Sequence, residues 1–170
     1  RPELTASLVH EATASATYTS LTPIPRDRLL RLLSRLFDED EFLSPHGVRS
    51  LSATYRAGAD VQVGGQSLPI RYDPGAGTTR MFGGNSNWRG PVWFPVNTLI
   101  VSALRRYAVG SGHDIEVEVP TGSGSLMGLA QAADLLDDRL IALFRPGPDG
   151  RRPSSPREYP TGPLWDHPTF

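Results

Sequence analysis

Apolar and polar positions along the chain predict three helices and one hairpin, separated by long stretches without period. From Arg26 to Phe37, Leu29, Leu30, Leu32, Leu33, Leu36 and Phe37 recur at three- and four-residue steps with Arg between them. That is the pattern of an amphipathic helix entered past Pro23 and Pro25. From Pro91 to Tyr107 an apolar stripe runs through Val92, Val96, Leu99, Ile100, Ala103, Leu104 and Tyr107. Pro95 falls in the first turn of this helix, where a missing N–H costs least, and Gly110 and Gly112 stop it. A third helix is predicted from Ser125 to Phe144, with Leu126, Leu129, Ala130, Ala133, Leu136, Leu140 and Leu143 on one stripe and Pro146 at its end.

Strand signals are fewer. The stretch from Val61 to Tyr72 alternates around Gly64-Gly65, the two-residue signal of a β-hairpin, and Pro69 makes its second strand an edge. Ile115 to Val119 also alternates and runs into Pro120-Thr121-Gly122-Ser123-Gly124. Ala6 to Ser20, rich in Ala, Ser and Thr, shows no clean period and receives no assignment. Asp73 to Gly90 is glycine-rich and aperiodic, and a loop of that length in a domain is usually functional or disordered. Gly147 to Phe170 reads as a wrapping loop or a linker. No internal repeat is visible at solenoid spacing.

Composition narrows the function classes. The 170 residues carry 17 basic and 18 acidic side chains, for a net charge of −1, so no basic excess exists to grip a phosphate backbone and a nucleic-acid partner is not expected. There is no cysteine, which removes disulfides, thiolate metal sites and cysteine nucleophiles together. Neither a run of about 18 apolar residues nor a signal peptide is legible. The expectation is a cytoplasmic chain with no membrane partner. It starts at Arg1 and stops at Phe170 without a closing helix, as a piece of a longer polypeptide would.

The familiar site signatures need spacings this chain lacks. His10, His46, His113 and His167 lie far apart, with no pair at helical spacing to clasp a metal, so neither metal nor cofactor is expected. Gly84-Asn85-Ser86-Asn87-Trp88 places Trp where a nucleophile elbow needs its last Gly. The strand, Gly122-Ser123-Gly124 and the following helix have the order of a phosphate-binding turn, but Met127 stands where the third glycine of that fingerprint belongs. A nucleotide-binding module built on Thr121 to Ser125 is therefore a distant third reading.

The densest constellation is Met81 to Asn97, which holds two indoles, one guanidinium and several amides at a loop-to-helix junction. Sugars present apolar C–H faces and hydroxyl rims, so a sugar binder needs aromatic platforms with rigid donors and acceptors around them. Trp88, Arg89, Trp93 and Asn97 supply those types. Trp93 and Asn97, four apart, share a helix face. The alternative reading is that this aromatic cluster is only core packing. For the acidic run Asp38 to Glu41, a solvated turn with one carboxylate anchoring Arg49 or another loop arginine is favoured over catalysis.

Three blocks in order, Phe37 to Ser52, Met81 to Asn97 and Pro120 to Gly124, closely resemble glycoside hydrolase family 63 and its bacterial glucosidase-like relatives. The resemblance spans about Pro25 to Phe170; residues 1–24 stay unassigned. It implies a mainly α fold, part of an (α/α)6 toroid with a small β-hairpin. It also implies a cleft that cuts α-glucosidic or related linkages with inversion, by an Asp general acid and a Glu general base. In inverting enzymes those carboxyls stand roughly 6.5 to 9.5 Å apart, leaving room for water. By this likeness both lie outside residues 1–170, the base shortly after the stretch Leu164 to Phe170. The implied catalytic set in this chain is thus empty, and its partners are a carbohydrate and the remainder of the same catalytic domain. Carried over as substrate contacts are Trp88 and Trp93, as walls around the sugar, and the Gly84 backbone. Asn87 stands where relatives often have Tyr. Arg89 either faces substrate or holds the loop by an internal ion pair. A noncatalytic carbohydrate-binding or scaffolding domain is the alternative.

Overall fold

The alternation of leucine and arginine after Pro25 is realised as helix α1 (Arg26–Leu36), whose first hydrogen bond runs from the Leu29 N–H to the Pro25 carbonyl at 2.9 Å. Asp27 in its first turn and Arg35 in its last suit the helix dipole. The structure, a computed structural model, describes residues 8–12, 17–21, 24–75, 88–110 and 115–155. At the far end of α1, Thr121 donates from its hydroxyl to the Ser34 carbonyl at 2.7 Å and from its N–H to the Phe37 carbonyl at 3.0 Å. Carbonyls that a helix end would leave open are closed by a loop more than eighty residues away.

Helices α2 (Phe94–Gly110) and α3 (Leu129–Ala142) make the most extensive pairing among the described residues. Val101, Leu104 and Ala108 of α2 and Ala132, Ala133, Leu136 and Leu140 of α3 are buried in one core with Leu29, Leu33 and Phe37. The alanines at the heart of α3 leave room for a neighbouring helix to approach. Outside the core, Arg105 of α2 reaches Asp134 and Asp137 of α3 at 2.8 and 2.6 Å.

Both helices begin later than the periodicity predicts, for the same reason. Residues read as first turns are taken by β pairing. Val92 bridges to Arg49, so α2 starts at Phe94 with Pro95 in its first turn as expected. Leu126 to Gly128 form strand β8 (Leu126–Gly128), antiparallel to β7 (Glu116–Glu118) with Glu118 opposite Leu126, so α3 starts at Leu129 instead of Ser125. Gln131 Oε1 then accepts the Gly128 N–H at 3.1 Å and closes the helix entrance.

The predicted hairpin appears as β5 (Ala59–Val63) and β6 (Gln66–Ile70), with Val63 opposite Gln66. Gly64 and Gly65, with φ of +56° and +79°, supply the left-handed pair its turn requires. Two further ladders were not anticipated. Strand β1 (Leu8–Ala12) pairs with β2 (Thr17–Leu21), and β3 (Leu43–Ser44) pairs with β4 (Gly47–Val48). The mainly α expectation is corrected accordingly: among the described residues three α-helices and a short 3-10 helix (Ala53–Ala57) stand beside four two-stranded antiparallel ladders, a mixed fold. Among these residues no helix is long and apolar enough to cross a membrane.

Candidate functional site

Residues 88–93 enter α2 as an extended strip held from two sides. On one side, the strip lies along the β3–β4 hairpin and its exit. Arg49 bridges to Val92, the Ser50 N–H donates to the Pro91 carbonyl at 3.0 Å, and the Gly90 N–H donates to Ser50 Oγ at 3.1 Å. On the other side lies the exit of the β5–β6 hairpin. The Asp73 N–H donates to the Arg89 carbonyl at 2.6 Å, and the Arg89 guanidinium faces the Asp73 carboxylate at 3.5 Å. Arg89 thus makes an internal ion pair within the loop, one of the two roles expected of it. The Tyr72 ring covers Gly90 so closely that a Cβ there would lie 2.5 Å from Cε2. Glycine at φ +120° is what lets this aromatic close over the strip.

On this strip Trp88 and Trp93 stack, with ring centroids 4.4 Å apart and planes 12° from parallel. Such a distance is van der Waals contact, so no pyranose fits between the rings. The walls-around-a-sugar arrangement is corrected to a two-layer platform. Its outer layer is Trp88, 51% exposed; Trp93 is partly buried behind it. A flat indole face open to solvent at a loop-to-helix junction is a surface on which a sugar ring can lie.

Asn97, predicted to share a face with Trp93, points inward. It is 1% exposed, and its amide accepts from the Val48 N–H at 2.7 Å and donates to the Val48 and Trp93 carbonyls, each at 3.0 Å. Expected as a sugar contact, it is instead bonded to backbone on both sides. Gly84 and Asn87 lie outside the described residues. Sequence reasoning missed Tyr72, Asp73 and Ser50, all of which brace the strip; nothing in their local patterns distinguishes them from ordinary loop residues.

The acidic turn behaves as a structural junction. Glu41 pairs with Arg35, Glu39 with Arg139 at 3.4 Å, and Asp38 Oδ1 accepts the Asp40 N–H at 2.8 Å. Arg49 is anchored there by the carbonyls of Glu39, Glu41 and Leu43 and not by a carboxylate. Arg139 also donates to the Ser44 carbonyl at 2.6 Å, tying α3 to the β3–β4 hairpin.

The glycine turn that resembled a phosphate site is filled from within. Gly122 and Gly124, at φ +86° and +75°, aim their N–H groups at the Glu118 carboxylate. These bonds, from Gly122 first and Gly124 second, hold the Glu118 carboxyl below its ordinary range. A protein anion occupies the place a phosphate would take. Among the described residues no group of three His, Asp or Glu is arranged to hold a metal.

An open cleft of about 660 Å³ lies elsewhere, between the β3–β4 tip, β8 and α3, lined by Pro45, Leu126, Met127, Leu135 and Asp138 among others. Neither indole borders it. Among the described residues the stacked indoles are a surface feature apart from this cleft.

Comparison with known proteins decides the family. Residues 2–150 match the mannosylglycerate hydrolase MGH1-like glycoside hydrolase domain. The chain belongs to this glycoside hydrolase family. The MGH1-like match begins upstream of Pro25 and takes in the β1–β2 hairpin. An uncharacterized protein of Saccharomyces cerevisiae is 47% identical over 133 residues, 78% of this chain and 12% of the yeast protein. A probable mannosyl-oligosaccharide glucosidase of Schizosaccharomyces pombe is 36% identical over 84 residues, 49% of this chain and 8% of its own length. The MGH1-like chain thus spans only about an eighth or less of these relatives. No solved structure matches significantly.

Proposed function

We propose that this MGH1-like domain is part of an inverting glycoside hydrolase acting on α-glucosidic or related linkages. In this reading residues 25–170 form a section of an (α/α)6 toroid and supply one wall of the sugar cleft. The catalytic acid and base come from outside the chain. The observation that carries the reading is the half-exposed Trp88 ring, backed by Trp93 on a strip braced at both edges, in a chain of glycoside hydrolase family. A rigid apolar plate of that kind orients a pyranose by its C–H face at low entropic cost, because the protein side is already ordered. Gly84 and Asn87 complete the contact set in this proposal.

The partners already held by several carboxylates support placing the acid and base elsewhere. Asp73 faces Arg89, Glu41 faces Arg35, Glu39 faces Arg139, and Glu118 accepts two backbone amides. A carboxylate already held by a protein partner is less available to a glycosidic oxygen or an attacking water.

Titration of the 170-residue chain with methyl α-glucoside, methyl α-mannoside and short α-glucans, read by tryptophan fluorescence, tests the binding half. Saturable quenching that disappears in Trp88→Ala is expected; a flat response to all of these sugars overturns the assignment. Turnover of an aryl α-glycoside by the chain alone would place the acid and base inside it and refute the other half.

A further inference from the structure

We propose that Asn97 is the positioning residue of the indole platform, holding Trp93 in register with the β3–β4 hairpin, and is not itself a sugar contact. The inference rests on the carbohydrate reading only for its functional consequence; the positioning is argued from geometry.

The Asn97 amide imitates a strand edge. With one oxygen and one nitrogen it satisfies both backbone groups of Val48, at 2.7 and 3.0 Å, and the same nitrogen donates to the Trp93 carbonyl at 3.0 Å. That carbonyl already accepts the Asn97 N–H at 3.0 Å, so the peptide carrying the inner indole is fixed by two donors of one residue. A planar amide with its donors and acceptor in use leaves little freedom for the peptide plane it binds. Trp88, at the other end of the strip, is referred to the same hairpin through the Ser50 hydroxyl and the Gly90 N–H. Both rings are thereby registered against residues 48–50.

Space for this arrangement is set aside at Gly47. A Cβ on Gly47 would lie 2.9 Å from Asn97 Oδ1 and 3.2 Å from a Val92 methyl, and its φ of +118° is one that side-chain-bearing residues rarely adopt. The amide approaches this backbone because no side chain stands in the way. Sealed from solvent at 1% exposure, Asn97 has no route to a sugar hydroxyl.

The test is Asn97→Asp in the 170-residue chain, which keeps the shape and an acceptor for the Val48 N–H but removes both donors. Two closely stacked indoles produce an exciton couplet in the ultraviolet circular dichroism, a signature that fold alone does not create. The expected result is a retained helical spectrum, a lost couplet, and sugar affinity weakened roughly tenfold, commensurate with two lost hydrogen bonds. An unchanged couplet in folded N97D overturns the inference. Should N97D not fold, Asn97→Ser, uncharged and shorter, is read the same way. In the unmutated chain the Asn97 side-chain amide protons must also exchange slowly; fast exchange contradicts the proposal without any variant. If the couplet responds while the wild-type chain binds no sugar, the carbohydrate reading fails and the positioning role stands.

Discussion

Trp88 lies flat against Trp93, ring on ring at 4.4 Å, and Trp88 keeps about half of its surface in solvent. The relationship divides labour between two residues of the same type. The inner ring lends rigidity and the outer ring lends its free face. Neither arrangement follows from a count of aromatic residues, since two indoles five positions apart are equally able to face each other across a gap.

Replacing the outer ring separates function from stability. Trp88→Ala removes one stacking contact and a half-exposed surface, so its cost to stability is about 1–2 kcal/mol. The same change removes the plate on which a sugar would rest, and fluorescence quenching by α-glycosides should vanish. A urea melt and a sugar titration of the one variant give both numbers.

Core truncation should do the opposite. Leu136 is fully buried between the helices, and Leu136→Ala is expected to cost about 2–5 kcal/mol through lost burial and the cavity left behind. At a temperature where the variant remains folded, its affinity for sugar should match that of the wild type. A large affinity change would mean that α2 shifts with its partner helix.

Gly90 is a position where backbone and ring both refuse a side chain. Gly90→Ala places a methyl 2.5 Å from the Tyr72 ring at φ +120°, which should destabilise the chain by about 1–3 kcal/mol. Tyr72→Ala in the same background should relieve the clash but not the backbone strain. The double variant is therefore expected to be more stable than the two single effects predict by more than about 0.5 kcal/mol, measured as a mutant cycle in urea.

Glu118 makes stability depend on acid pH. Its folded carboxyl titrates below the ordinary range because Gly122 and Gly124 donate to the charged form, while in the unfolded chain it titrates near about 4.3. The unfolded state therefore binds the proton more readily. The contribution is complete above the unfolded value and is lost as pH falls through the lower folded one. A melting temperature followed from pH 6 down to about 2.5 should drop less steeply in Glu118→Gln than in the wild type. Equal slopes would show that the turn holds without the charge.

What could be read from residues alone was local. Gly64-Gly65 between alternating runs forced a hairpin with fixed register, and the leucine-arginine alternation after Pro25 forced α1, because both patterns carry their own geometry. The β1–β2 pair was invisible, since Ala, Ser and Thr carry no period. The late starts of α2 and α3 depended on partners far along the chain, Arg49 for Val92 and Glu118 for Leu126. At the site, helical spacing correctly put Asn97 on the side of Trp93, but only packing against Val48 revealed that this side is the interior.

The tie between Arg139 and the Ser44 carbonyl joins residues 95 positions apart. It gives the chain a keystone late in the sequence: the short hairpin that seats Asn97 leans on α3 as well as on its sequence neighbours. A polypeptide released after α2 but before Arg139 would emerge with every aromatic of the platform present and the abutment beneath them missing. The bracing of the indole platform therefore depends on a helix that contributes no ring to it.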